Sequence, residues 1–160
     1  MIDPGVKIGH VHLKVADLKQ ALAFYEGVLG FEVQQVWGTQ AAFISAGGYH
    51  HHVGLNTWES LGGSPPPPGS TGLFHLAILY PTRRALALAV RDVLDAGVPL
   101  TGAADHGVSE AVYLEDPDRN GVELYWDRPR EAWPRPSGGE DGVEMFTAPL
   151  DLAALLAEAE

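Results

Sequence analysis

Near its start the chain alternates between apolar and polar residues, from Lys7 to Val15. His10 and His12 fall on one side and small or apolar residues on the other, which is the two-residue period of a half-buried β-strand. Asp17 then predicts the N-cap of a helix whose apolar residues recur at near-helical spacing until Gly30. Three more strands are predicted at about residues 31–37, 41–46 and 51–58. The predicted order of elements is therefore βαβββ.

A stretch rich in proline, glycine and serine over residues 59–72 follows, and it predicts a linker. Beyond it, an apolar strand at 73–79 leads into a helix that Thr82 caps and Gly97 ends. Further strands are predicted near Val98, at 110–115 and at 121–127. The same order of elements thus occurs twice, in module one at about 7–58 and module two at about 73–128.

The repeat can be checked residue by residue. Three short matches locate it: Gly9-His10-Val11 with Phe74-His75-Leu76, Leu29-Gly30-Phe31 with Ala96-Gly97-Val98, and Val53-Gly54-Leu55 with Val122-Glu123-Leu124. The spacing drifts by only a few residues between the first match and the last, which indicates a duplicated module. We expect an α+β fold in which two βαβββ modules, each with a helix behind its sheet, pair their concave faces around a cavity.

Residues 129–160 are predicted to form a C-terminal tail. It is rich in proline and glycine up to Gly142, and Asp151 then caps a short helix that carries apolar residues on one face. This pattern predicts a docked tail. Whether it packs on its own chain or on another subunit stays open at this point.

Composition narrows the range of functions. The chain has 160 residues, a hydrophobic fraction of 46% and a formal net charge of -11, which suits one ordinary domain with a real core. Scattered Lys and Arg form no basic stripe, so we expect neither nucleic acid nor a membrane surface as a partner. There is no cysteine, which excludes thiolate metal sites. The absence of an apolar run of membrane-spanning length and of secretory features at the start favours a cytoplasmic location.

Three side chains of metal-binding type occupy related positions. Strand alternation points His10 and His75 away from their apolar neighbours, and it does the same for Glu123. A single strand histidine is usually a core or surface residue, but this symmetric placement favours a metal site, which would also offset the cost of a buried carboxylate. Gly54 is the counterpart of Glu123, so the site offers three ligands and one open side. Two histidines and a carboxylate suit Fe(II) or Mn(II) and can also hold Zn(II).

The sequence also resembles a known family. The segments that carry the resemblance are Gly9-His10-Val11-His12-Leu13-Lys14-Val15-Ala16-Asp17-Leu18, Phe24-Tyr25 with Leu29-Gly30-Phe31, and Asp116-Pro117-Asp118 with Gly121-Val122-Glu123-Leu124. They resemble the vicinal oxygen chelate superfamily over about residues 7–130. The run Tyr49-His50-His51-His52-Val53-Gly54-Leu55-Asn56-Thr57-Trp58 is similar to its catechol 2,3-dioxygenase branch.

The resemblance implies a half-open barrel of two modules around a divalent metal, with His10, His75 and Glu123 as the ligands. The further acidic ligand of the glyoxalase I members falls on Gly54 and is absent here. This departure favours the three-ligand branches, which are the extradiol dioxygenases and the fosfomycin-type thiol transferases. Extradiol enzymes also carry a Tyr ten residues before the ligand Glu, and Tyr113 holds that position.

We therefore expect an extradiol dioxygenase that binds Fe(II), a catechol-type aromatic diol and O2, and opens the ring beside the diol. Tyr113 is the expected hydrogen-bonding group for the bound diol, and His106 is the expected proton-transfer residue. The remaining expected substrate contacts are His12, His52, Trp58 and Tyr125.

Two other kinds of function fit the same residues. One is a metal-dependent lyase or thiol transferase of the same fold, which would need no O2. The other is a metal-free resistance protein that sequesters a hydrophobic ligand, and retention of the three metal-type residues argues against it. A homodimer is expected, because related two-module chains often pair.

Overall fold

The computed structural model describes residues 1–138 and 141–160, so Gly139 and Glu140, which fall within the predicted tail, lie outside the described residues. The chain forms two units, Met1–Ser70 and Thr71–Glu160. Their boundary falls inside the stretch 59–72 that the sequence predicts as a linker. Among the described residues, no helix combines the length and the apolar character that crossing a membrane requires.

Unit one contains a four-stranded sheet and one helix. Its elements are β1 (Val11–Lys14), α1 (Leu18–Tyr25), β2 (Glu32–Trp37), β3 (Ala41–Ser45) and β4 (Val53–Asn56). The strand order is β1-β4-β3-β2, with β1 parallel to β4 and the other pairs antiparallel. The Asp17 side chain accepts hydrogen bonds from the first turn of α1, as the sequence predicts.

Unit two repeats this arrangement and adds the tail. Its elements are β5 (His75–Leu79), α2 (Arg83–Asp95), β6 (Leu100–Asp105), β7 (Ser109–Glu115), β8 (Gly121–Asp127), β9 (Ala148–Pro149) and α3 (Leu152–Leu156), with 3-10 turns at Arg130–Ala132 and Ala157–Ala159. The strand order is β5-β8-β7-β6-β9, with β5 parallel to β8. Thr82 caps α2 by accepting from the Ala85 N–H.

The strand registers confirm the predicted repeat. In unit one His12 lies opposite Gly54, and in unit two Ala77 lies opposite Glu123, as the sequence matches require. Both sheets also carry an irregularity at the corresponding point, between Val33 and Gln35 in unit one and between Leu100 and Gly102 in unit two. The α+β fold class with two βαβββ modules is therefore confirmed.

Several predicted boundaries differ from the structure. Strand β1 begins only at Val11, because its pairing with β4 starts there, so His10 lies just before the strand. Strand β4 begins at Val53 rather than at 51. Helix α1 ends at Tyr25, before Gly30, and in the turns that follow the hydrogen bonds become irregular, with the Gly27 and Leu29 N–H groups bonding five residues back while their neighbours bond four back.

In the structure the tail docks on unit two of its own chain. Strand β9 pairs with β6 at Ala104 and Asp105, and Leu155 of α3 is buried against α2. The sequence does not predict β9, because two residues that include a proline carry no strand pattern. Asp151 caps α3 as predicted.

A buried carboxylate joins the sheet of unit two to α2 and the tail. Glu110 is 6% exposed and accepts from Arg83 Nε at 2.7 Å and from Arg128 Nη2 at 2.8 Å. Arg83 also donates to the Ala154 carbonyl and to Glu158 in the tail. Arg128 binds both carboxylate oxygens of Asp105, and its hydrogen bond is the main cause that lowers the pKa of Asp105.

Replacing Glu110 with Ala is expected to lower the free energy of unfolding by about 2 kcal/mol, because two arginines lose a buried partner while each keeps another. Urea unfolding at neutral pH measures this loss. The matched control is Glu115→Ala, whose half-exposed carboxylate lies 3.9 Å from Arg119 and should change stability by less than about 0.5 kcal/mol. Equal losses in the two variants would contradict this account.

Candidate metal centre

A histidine and a carboxylate meet on the face of the unit-two sheet that points away from its apolar core. His75 begins β5 and Glu123 lies in the adjacent parallel strand β8, with His75 Nε2 2.9 Å from Glu123 Oε2. Val122 and Leu124 on either side of Glu123 are completely buried, so strand alternation turns the carboxylate away from the apolar core. Gly121 lies opposite His75, and a Cβ there would be 2.3 Å from the Phe74 carbonyl oxygen. The close approach of the two strands therefore requires glycine.

Tyr113 and His106 extend this pair into a chain of polar groups. Tyr113 lies directly opposite Glu123, and its hydroxyl is 3.4 Å from Glu123 Oε1 and 2.7 Å from His106 Nε2. Burial, and then the charge of Glu123, raise the pKa of Tyr113 to about 12, so the phenol is neutral at pH 7. The structure thus brings together four sequence-predicted site residues.

Tyr125, another predicted site residue, lies two residues after Glu123 on the same face of β8. Burial is the main cause that raises its pKa, and the charges of Asp127 and Glu123 add to the effect. Tyr125 is therefore a neutral hydrogen-bonding group beside the linked side chains of Glu123, Tyr113 and His106.

The His75 and Glu123 atoms suit a divalent metal. Two ligand atoms that each lie about 2.1 Å from one ion, at about a right angle, are about 3.0 Å apart, which agrees with the observed separation. An imidazole nitrogen and a carboxylate oxygen also suit Fe(II), Mn(II) and Zn(II). Neither unit by itself, over residues 1–138 and 141–160, gathers three His, Asp or Glu side chains that could hold an ion.

A cavity of about 380 Å³ lies beside this pair within unit two. It is lined by Phe74, His75, Thr101, Gly102, Tyr113, Leu114, Glu115, Arg119, Gly121 and Val122. Gly102 lies opposite Tyr113 in the sheet, and together with Gly121 it leaves bare backbone where side chains would otherwise fill the cavity. The space is large enough for a small aromatic molecule.

In unit one, His10 belongs to a cluster of aromatic rings. The centroids of the His10 and His51 rings are 4.4 Å apart, and His51 Nδ1 lies 2.7 Å from His50 Nδ1. His50 and His51 precede β4 in a loop, so the alternation of a strand does not apply to them and their rings can meet. Sequence reasoning missed His51, whose pKa is lowered by burial and by neighbouring histidines, first among them His10.

His12 occupies the space above Gly54. A Cβ at position 54 would lie 2.9 Å from the Cδ2 and Cγ atoms of His12. An imidazole therefore covers this position in unit one, while the open coordination side of the metal stays a prediction. Burial, with a contribution from His10, lowers the pKa of His12, and its ring centroid lies 5.5 Å from that of Trp58.

His52, a predicted substrate contact, takes part in holding its own loop. Its Nδ1 accepts from the Ala46 N–H at 3.3 Å, and its ring stacks on Tyr49 with 4.7 Å between centroids. The role of His52 in binding a substrate stays a prediction.

Comparison with known proteins identifies the family of this chain. A family model described as the Glyoxalase/Bleomycin resistance protein/Dioxygenase superfamily matches residues 7–124. The chain belongs to this superfamily. The resemblance to vicinal oxygen chelate proteins is thereby confirmed, and dioxygenase members of the superfamily bind a divalent metal ion.

Two curated superfamily members are similar in sequence. The catechol-2,3-dioxygenase of Bacillus subtilis (strain 168) is 40% identical over 95% of this chain and 52% of that protein. Biphenyl-2,3-diol 1,2-dioxygenase 3 of Rhodococcus globerulus is 32% identical over 76% of this chain and 63% of that protein. The chain thus spans about half to two thirds of the length of these relatives.

A solved glyoxalase/dioxygenase from Nostoc punctiforme has a similar fold. It gives a TM-score of 0.65 at 23% identity, and the match covers 81% of this chain and 97% of that one. The likeness at this identity supports the superfamily fold.

Replacing Gly54 with Ala is expected to displace the His12 ring, because the new methyl group would lie within 3 Å of two ring carbons. Unfolding should become easier by about 1–3 kcal/mol, and the indole NMR signals of Trp58 should shift with the ring. Gly9→Ala is the control, since a Cβ there meets nothing closer than 3.9 Å. Unchanged Trp58 signals in Gly54→Ala would show that His12 does not cover position 54.

Proposed function

We propose that the chain is a metal-dependent extradiol dioxygenase, which uses O2 to open the ring of a catechol-type diol beside its two hydroxyl groups. The observation that carries this proposal is the approach of His75 to Glu123 at 2.9 Å, with Tyr113 and His106 linked to the same carboxylate and a cavity beside them. The similarity to a catechol dioxygenase and a biphenyl-diol dioxygenase supports it.

His75 and Glu123 are proposed to hold the metal ion, with His10 as the third ligand. We favour Fe(II), since two histidines and one carboxylate with open positions suit iron enzymes that use O2. When bound, the ion supplies Lewis-acid and redox chemistry. The proposal takes one ligand from unit one and two from unit two, since neither unit by itself gathers three His, Asp or Glu side chains that could hold an ion among its described residues.

The other residues are proposed to bind and orient the diol. Tyr113 stays neutral at pH 7 and can form a hydrogen bond with a hydroxyl group of the diol. His51 lies against His10 and its lowered pKa keeps it neutral, so it can accept a proton from a diol hydroxyl. Phe74 at the cavity wall offers an apolar surface for the aromatic ring.

A glyoxalase-type lyase of the same fold is less well supported. The unit-one position that corresponds to Glu123 is Gly54, and the His12 ring covers it, so no fourth carboxylate ligand arises there. Oxygen uptake separates the two reactions, because the lyase reaction consumes no O2.

The first test is metal loading and turnover. Protein reconstituted with Fe(II) without air, then given catechol or 2,3-dihydroxybiphenyl with O2, should consume one O2 per ring opened and form a yellow product. Glu123→Ala should weaken metal binding by at least about 100-fold, since even residues that only support a ligand contribute 10–100-fold. Glu59→Ala, with an exposed carboxylate paired to Lys14, should leave binding unchanged. No oxygen uptake with any diol would overturn the proposal.

The second test separates binding of the ion from handling of the diol. Tyr113→Phe is expected to lower kcat by about 100-fold while bound iron stays the same, because the phenol contacts the diol rather than the ion. Tyr49→Phe, whose ring stacks on His52 in unit one, is the control and should keep full kcat. Loss of iron in Tyr113→Phe would assign Tyr113 to the metal site instead.

A further inference from the structure

The C-terminal tail makes a double hydrogen bond with His106. The Phe146 N–H donates to the His106 carbonyl at 3.3 Å, and the Phe146 carbonyl oxygen lies 3.0 Å from His106 Nδ1. Two residues further on, β9 pairs with β6 at Ala104 and Asp105. The tail thus contacts His106, which is linked through Tyr113 to Glu123.

The partner at Nδ1 decides where the proton of a neutral His106 lies. A carbonyl oxygen can only accept a hydrogen bond, so Nδ1 must carry the hydrogen. The other nitrogen, Nε2, then has a free lone pair, and it faces the Tyr113 hydroxyl at 2.7 Å. Thr147 Oγ1, at 3.3 Å from Nδ1, is a further group that can accept there. The Tyr113 O–H can then donate to His106 Nε2 at 2.7 Å, a shorter contact than the 3.4 Å to the other acceptor, Glu123 Oε1, and its oxygen lone pairs are left to face the cavity.

Packing holds the tail in this place. Gly107 has a φ of 75°, and a Cβ there would lie 2.5 Å from the Phe146 ring and 2.8 Å from Pro134. Both side chains thus rest on the bare backbone at Gly107. The Glu144 N–H also donates to the Pro134 carbonyl at 3.0 Å, so residues 144–149 are fixed on both sides of Phe146.

We propose that the main chain at Phe146, held in place by the C-terminal segment 144–149, is a positioning element of the candidate active site. The main-chain carbonyl of Phe146 fixes the Nδ1–H tautomer of His106 and thereby directs the Tyr113 hydroxyl proton towards His106 Nε2. Tyr113 then presents an acceptor to a diol hydroxyl. The effect of this hydrogen bond on catalysis rests on the proposed dioxygenase function, whereas the tautomer of His106 does not.

The tautomer can be measured in the full-length, metal-free protein labelled with 15N-histidine. Ring 15N shifts, with His106 assigned from the signal missing in His106→Gln, should show the Nδ1–H form in the unchanged protein. Phe146→Ala and Gly107→Ala should both free residues 144–149, seen as faster amide exchange at Ala148, and should give mixed tautomers. Met145→Ala, an exposed neighbour, should change neither. Thr147→Val should keep the Nδ1–H form, since the carbonyl remains.

Two results would overturn the proposal: an Nε2–H form in the unchanged protein, or an unchanged Nδ1–H form in a variant whose segment 144–149 exchanges freely. These measurements need neither metal nor diol, so they stand apart from any failure to find ring opening. In iron-loaded protein that does open diols, Phe146→Ala should lower kcat by about 10- to 100-fold with equal iron content. Phe146→Leu should restore most of kcat, and Met145→Ala should keep it.

Discussion

Burial of the Glu123 carboxylate is the constraint on which unit two depends. A charge in a site that is only 9% exposed is tolerated when partners surround it. Strand pairing supplies those partners: His75 comes from β5 on one side and Tyr113 from β7 on the other. A shift of one residue in either pairing would turn a partner into the apolar core. The register of the sheet and the chemistry of the candidate site are therefore fixed together.

Three neighbouring strands of each sheet place residues side by side at equivalent positions, and the side chains there differ between the units. These residues are His12, Gly54 and Phe43 in unit one, and Ala77, Glu123 and Tyr113 in unit two. In unit one the large ring of His12 comes from the first strand, and glycine beside it leaves the necessary room. In unit two the small Ala77 leaves room for a carboxylate. The same backbone arrangement thus carries a pair of aromatic rings in unit one and a cluster of polar side chains in unit two.

The sequence predicts the fold well because strand alternation and the caps at Asp17 and Thr82 are local patterns, and the repeat relates the second module to the first. Strand alternation and the repeat also predict that His75 and Glu123 point away from the apolar core, and the family resemblance adds Tyr113 to the site. The sequence could not predict that His51 turns towards His10, because loop conformation has no period, nor that β9 forms, because two residues carry no pattern. Coverage of Gly54 by His12 depends on a rotamer, which sequence spacing does not specify.

The arginines of α2 bind the tail mainly through its backbone. Arg83 donates to the Ala154 carbonyl, Arg84 to the Glu158 carbonyl and Arg91 to the Ala159 carbonyl. Backbone oxygens at the end of a helix are present whatever the side chains are, and they attract positive charge. The exposed side chains of the last helix can therefore change without weakening its contacts with α2. Lysine in place of these arginines would lose the reach and planar geometry of the hydrogen bonds.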